Sequence, residues 1–216
     1  LTLQTKDAIV SHNGEINEDK LYPDRSKSEK DLIKYLNRET VFGDDDRPMT
    51  LEGCVIRMSD TIAYIGTDIE DAIRLKLISR GDIPSNVSEV LGKNNSSIID
   101  TLVKDIIVNS WDKDHLEFSE RTADALRELK SFNYREIYLN EKLKPERKKI
   151  EKGFDILFGT FLEDIETDNR SSDIFRHFLD SKNADYITGT KSAEKVRDFI
   201  ATMTDRYFKY QLEKIT

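Results

Sequence analysis

Asp60, Tyr64 and Asp68 stand four residues apart in this 216-residue sequence, and their types and spacing suit chemistry on a ligand. On an α-helix a step of four turns by ~40° and climbs ~6 Å, so the three groups line one stripe ~12 Å long. Arg57 and Asp71 fall close to the same stripe. A carboxylate so placed can ligate a hard divalent cation, while a phenol and a second carboxylate hydrogen-bond a hydroxylated substrate. The same spacing also describes a solvated helix edge with an Arg57–Asp60 ion pair. The residues alone leave both readings open.

The element that must carry this stripe is a long helix. From Thr50 to Ser79 the apolar residues Leu51, Val55, Met58, Ile62, Ile65, Ile69, Ala72 and Ile73 recur at helical spacing. Thr50 offers the N-cap and Gly81 the C-terminal stop. Apolar residues on most sides predict a central helix, where a carboxylate is costly unless paired or bound to metal. Gly66 inside the pattern costs about 1 kcal/mol against Ala and so points to a packing or site reason.

The rest of the chain reads the same way. Short apolar repeats predict an opening helix capped by Thr2, and one after Ser28 carrying Leu32, Ile33 and Leu36. Others carry Ile98 to Ile107 up to Trp111, Ala123 to Leu129 behind a Ser119 cap, and Phe154 to Leu162 after Pro145. Ile174 to Phe178 marks a further helix, and one last helix runs from Ser192 to Leu212. No strand-like alternation of useful length and no repeat is evident, so the fold class is all-α. Residues 12–25, 42–48 and 167–170 read as loops. None resembles an interdomain linker, which favours one compact helical unit.

Composition narrows the class further. Charged residues reach 35% and apolar residues 37%, with net charge −8, so a general nucleic-acid binder is disfavoured. Cys54 is the single cysteine, which excludes an internal disulfide and favours a reducing, cytoplasmic setting. No apolar run approaches the ~20 residues that span a bilayer, and no signal-peptide pattern opens the chain, so no membrane partner is expected.

The stretch RMSDTIAYIGTDIEDAIR (57–74) resembles the last metal-binding motif of the HD-domain deoxyguanosinetriphosphate triphosphohydrolases. LRELKSFNYREIY (126–138) and DFIATMTDRYF (198–208) resemble two further segments of that family, in the same order and spacing. The resemblance implies an all-α fold with residues 1–115 as the C-terminal part of the HD core and 116–216 as associated helices, packed as one unit. It implies hydrolysis of a deoxynucleoside triphosphate to deoxynucleoside and triphosphate, with a divalent metal (Mn, Mg or Fe) as cofactor. Carried over, Asp60 matches the final metal-ligand Asp, Tyr64 and Asp68 the pair at the deoxyribose, and Arg57 a brace behind the ligand. A phenol against the sugar helps exclude ribonucleotides. A homo-oligomer is implied as well.

The family's metal set is written H…HD…D, and here the first part is absent. His12, His115 and His177 are the only histidines and none precedes an Asp. The expectation is a truncated chain whose active site is incomplete, with no catalytic residue of its own. His12 stands where relatives approach the nucleotide, although Ser11 replaces their Lys; His12-Asn13-Gly14 also reads as a helix C-terminus. His115 and His177 read as structural or exposed residues in helices. Arg135 is a candidate for the substrate phosphates. The run KLKPERKKIEK (142–152) carries six basic residues and suits a nucleotide effector or single-stranded nucleic acid, or a solvated helix start. Asp44-Asp45-Asp46 reads as solvated loop, and Cys54 as packing. Two rival functions stay open: a non-catalytic nucleotide-binding or oligomerisation module, and a different HD phosphohydrolase.

Overall fold

The computed structural model describes residues 1–12, 20–36 and 46–215, with side chains from 35 and 36 excepted. Asn13, Gly14, Asp44, Asp45 and the Leu36 side chain therefore lie outside the described residues. The chain is all-α. It runs α1 (Leu3–Ser11), β1 (Lys20–Leu21), α2 (Glu29–Leu36), α3 (Leu51–Arg74), α4 (Ser85–Leu91), α5 (Asn95–Ser110), β2 (Leu116–Glu117) and α6 (Glu120–Phe132). A π-helical turn, Asn133–Tyr138, follows α6 directly. Then come α7 (Lys144–Glu166), α8 (Asp173–His177), α9 (Ala184–Gly189), α10 (Ser192–Ala201) and α11 (Asp205–Ile215). The two strands form one short antiparallel pair, Lys20 opposite Glu117 and Leu21 opposite Leu116.

The capping expectations for α1, α3 and α6 are met by hydrogen bonds. Thr2 Oγ1 accepts from Thr5 N, Thr50 Oγ1 from Gly53 N at 3.1 Å, and Ser119 Oγ from Thr122 N. Each satisfies one of the donors a helix start leaves unpaired. Pro145 sits in the first turn of α7, where its missing N–H costs nothing.

Two boundaries differ from the sequence reading. α3 ends at Arg74, well before Gly81. The stop is a Schellman turn in which Leu77 N donates to Ala72 O at 2.9 Å and Lys76 N to Ile73 O at 3.0 Å. Lys76 takes the left-handed backbone (φ 56°) usually given to glycine, and Leu77 and Ile78 turn back onto the core. The last helix is two helices. Thr204 Oγ1 accepts from Tyr207 N at 3.3 Å and so caps α11, while Thr202 Oγ returns to Phe199 O at 2.7 Å.

The chain divides into two compact units, Leu1–Asn140 and Glu141–Thr216. In the first, α3 packs against α1, α5 and the π-helical turn, and α4 against α5 and α6. Its core includes Cys54, Met58, Ile65, Ile69, Val87, Leu91, Leu102 and Leu129. In the second, α7 packs against α10 and α11 around Leu157, Phe161, Ile174, Val196 and Phe199. Phe161 and Phe199 meet edge to face at 5.0 Å, the geometry aromatic quadrupoles favour.

Gly66 has a packing reason. A Cβ there would lie 2.3 Å from Asn95 Oδ1 and 3.2 Å from Asn95 Cα. The glycine lets the start of α5 abut the middle of α3.

Candidate functional site

α3 is central on one side only. Gly53, Cys54, Arg57, Met58, Thr61, Ile62, Ile65, Gly66, Ile69 and Ala72 are buried, and this face points into the unit. Asp60 lies on the other face and is exposed. The desolvation argument from sequence therefore does not apply to it. Among the described residues Asp60 makes no hydrogen bond or ion pair. Its oxygens are open to a ligand.

Tyr64 and Asp68 follow along the same edge and are half-buried. Asp68 Oδ2 accepts a hydrogen bond from the Tyr138 hydroxyl, which comes from the π-helical turn 70 residues downstream. Asn133, at the start of that turn, is buried and donates from Nδ2 to Ile65 O at 3.0 Å. Two side chains of the turn thus hold the middle of α3, one through its backbone and one through Asp68. π-helical turns are rare and recur at functional sites. Neither contact was evident from spacing. The segment 126–138 was singled out only through its resemblance, and Tyr138 not at all. Arg135 sits in the same turn and is exposed.

Arg57 is buried at 2% exposure, and its Nη1 donates to Asp46 O at 2.8 Å. It holds the segment leading into α3, and no ion pair joins it to Asp60 among the described residues. At the far end of α3, Arg80 grips Glu70 with two N–H groups at 3.0 and 2.7 Å and also donates to Lys93 O at 2.6 Å. The Arg80 hydrogen bonds hold the Glu70 carboxyl below its usual range. Both ends of the stripe-bearing helix are thereby fixed.

His12 follows the end of α1. It is exposed, and its Nδ1 lies 2.6 Å from Ile9 O. It lines a groove of about 610 Å³ between α1 and α3 together with Ile9, Thr50 and Ile56. Ile56 is one helical turn before Asp60, so the groove opens beside the stripe. A second groove, about 230 Å³, runs between α3 and α5 and includes Val55, Ser59, Val103 and Ile107.

The other histidines are structural. His115 precedes β2 rather than lying in a helix. It stacks on Tyr22 at 4.4 Å and approaches Asp114 at 3.0 Å. His177 Nδ1 lies 2.6 Å from the Tyr207 hydroxyl. In the basic run, Lys144 and Lys149 pair with Glu141 and Glu146, each at 2.6 Å, on an exposed helix start. Cys54 is fully buried, and burial pushes its thiol up to about 11. No described helix is long and apolar enough to cross a membrane.

The residues present fit a hard divalent cation in part. Asp60 offers an unpaired carboxylate, but no group of three or more His, Cys, Asp or Glu among the described residues could hold a metal ion.

Comparison with known proteins gives the class first. Residues 116–214 match the phosphohydrolase-associated domain. Curated proteins named deoxyguanosinetriphosphate triphosphohydrolase-like align over more of the chain. The one from Caldanaerobacter subterraneus subsp. tengcongensis is 33% identical over 169 residues, covering 78% of this chain and 47% of that protein. That from Clostridium tetani is 32% identical over 199 residues, covering 88% and 49%. That from Rickettsia akari is 25% identical, covering 96% and 57%. The chain belongs to this dGTPase-like family of phosphohydrolases. It spans about half the length of the curated relatives it matches.

Proposed function

We propose that this chain contributes the last metal ligand and the sugar-binding stripe to a cytoplasmic, metal-dependent deoxynucleoside triphosphate triphosphohydrolase. The observation that carries the reading is Asp60, an exposed carboxylate without a partner among the described residues, on a helix fixed at both ends and in line with Tyr64 and Asp68. Asp60 would hold Mn, Mg or Fe through oxygen, with the remaining ligands supplied from outside the described residues. When bound, such an ion polarises the phosphate and lowers the pKa of water.

The chain's own residues position the nucleotide. Asp68, its carboxylate held by Tyr138, accepts a hydrogen bond from the sugar 3′-hydroxyl. Tyr64 lies against the ribose ring and crowds a 2′-hydroxyl. A water oxygen attacks the α-phosphorus and the bond to the 5′-oxygen breaks. That oxygen takes up a proton, leaving deoxynucleoside and intact triphosphate. His12 and Arg135 are candidates for the phosphates. A homo-oligomer is part of this reading, and the exposed basic start of α7 suits a nucleotide effector or single-stranded nucleic acid.

A second reading follows from the lack of a complete ligand set among the described residues: a non-catalytic nucleotide-binding module. Its binding is independent of metal. A different HD phosphohydrolase is distinguished by product, because only the first reading releases whole triphosphate.

The test replaces the matching segment of the Caldanaerobacter relative with this chain and assays dGTP and the other dNTPs with each metal. Metal-dependent tripolyphosphate, lost in Asp60→Ala, is expected. A folded chimera that releases none, beside an active parent, overturns the reading.

A further inference from the structure

α7 carries its charges in the order that least suits a helix on its own. Lys144, Arg147, Lys148, Lys149 and Lys152 crowd its first part, with Glu146 and Glu151 among them. From Gly153 to Glu166 it holds Asp155, Glu163, Asp164 and Glu166 and no Lys or Arg. The helix dipole favours the opposite order, acid at the start and base at the end. Between the charged ends runs an apolar stripe. Ile150, Phe154 and Phe158 recur every four residues and are 50%, 46% and 36% exposed. Half-buried Leu162 continues it. Single exposed apolar side chains are ordinary, whereas a row on one helix calls for a cover.

A helix with a basic half, an apolar middle and an acidic half is complementary to itself when reversed. A two-fold axis at the level of Ile156 lays α7 antiparallel on a second copy. Phe154 then stands level with the partner subunit's Phe158, and Ile150 with the partner subunit's Leu162. Arg147 and Lys148 come within about a turn of the level of the partner subunit's Glu166. Lys148 and Glu166 are 18 residues apart, roughly five turns, so they lie on one line along the helix. Arg147, Lys148 and Glu166 are all exposed. A nucleic-acid strand would serve only the basic half, leaving the stripe uncovered and meeting repulsion from the acidic half. The pattern as a whole favours a second copy of this chain.

We propose that α7 is a self-complementary seam along which two copies of this chain pair antiparallel. Phe154 and Phe158 sit at its centre, and Arg147 and Lys148 lie beside the partner subunit's Glu166. The proposal gives one interface to the homo-oligomer of the reading above. It rests on α7 and not on hydrolysis, so the two fail separately.

The experiment sediments the full chain over roughly 1–200 μM, where an interface as small as one helix pair is expected to be partly formed. A monomer–dimer equilibrium that weakens with added salt is expected. Arg147→Glu with Lys148→Glu in one chain, and Glu166→Lys in another, each weaken self-association by at least about tenfold, because each sets like charges together. Mixed, the two variants pair with each other about as tightly as the parent does with itself, since both contacts return with reversed sign. Misfolding of either variant cannot produce that recovery. Phe158→Ser weakens the pair without a change of charge, and circular dichroism of each variant checks the fold. A chain that stays monomeric across the range overturns the proposal. If that monomer binds a single-stranded thymidine oligonucleotide through Arg147 and Lys148, the face belongs to nucleic acid instead. Self-association indifferent to the charge variants, or a mixture that does not recover, also overturns it by placing the interface elsewhere on the molecule. None of these outcomes alters triphosphate release by the chimera.

Discussion

The carboxylate of Asp7, 3% exposed, accepts from Met49 N at 2.7 Å and from Lys27 Nζ at 3.0 Å. The side chains of the pair are 4% and 6% exposed. A buried charge that loses its partner typically costs 3–5 kcal/mol. Lys27→Met is therefore expected to lower the unfolding free energy of the first unit by about that amount, read by urea denaturation. Asp60 presents the opposite case. It is exposed and has no partner among the described residues, so its replacement by Ala should change stability by no more than about 0.5 kcal/mol in the same titration. A large loss would mean that its role is structural. Sequence showed the Asp60, Tyr64 and Asp68 stripe because all three share one helix with a clear period. It hid the Asp7–Lys27 pair and the Tyr138–Asp68 bond, whose partners are 20 and 70 residues apart. Neighbourhood on a helix is written in spacing, whereas contact between elements is not.

At the scale of elements, helix starts were legible because Thr2, Thr50 and Ser119 supply their own oxygen to the first turn. Helix ends were not. The sequence points to glycine, while α3 ends at Arg74 and Lys76 takes the left-handed turn, because packing Leu77 and Ile78 onto the core outweighs a left-handed cost of about 1 kcal/mol. The β1–β2 pair was missed because two residues carry no alternation to detect. Gly66→Ala tests the α3–α5 junction. The added methyl meets the Asn95 backbone, and overpacking predicts a loss of about 1–3 kcal/mol, against the slight gain an open helix would show. The β1–β2 pair carries a pH dependence. Glu117 is hydrogen-bonded by Lys113 and by Lys20, the latter at 2.8 Å, and is held down to about 2 from its ordinary ~4.3. A depressed carboxylate stabilises the fold above its unfolded pKa. That contribution fades as pH falls from ~4.3 towards 2. Acid unfolding of Glu117→Gln should accordingly be flatter over that window than that of the parent.

The whole molecule shows what helical patterning leaves unstated. The resemblance implies associated helices from residue 116, and the phosphohydrolase-associated match covers 116–214; the compact units divide at 140/141, because α6 and the π-helical turn pack with α4 and α3 in the first unit. Side-chain period reports which face a helix buries and not which neighbour covers it. The second unit has its own aromatic core. Residues 141–216 produced alone are expected to keep helical circular dichroism and to unfold cooperatively, with the low stability of a small domain. A non-cooperative melt would refute its independence.

Cys54 gives the first unit an internal clock. Its thiol is fully buried on the inner face of α3, and no other thiol competes with it. A disulfide reagent reaches it only when α3 lifts from its neighbours. Where reclosing is fast, the labelling rate divided by that of an unfolded thiol is the equilibrium constant for that opening. The same stopwatch reads any molecule that clamps α3 in place: each tenfold slowing of labelling corresponds to about 1.4 kcal/mol of added hold. One sulfur atom thus converts occupancy of the Asp60 face of α3 into a colour change, with no substrate, product or metal in the tube.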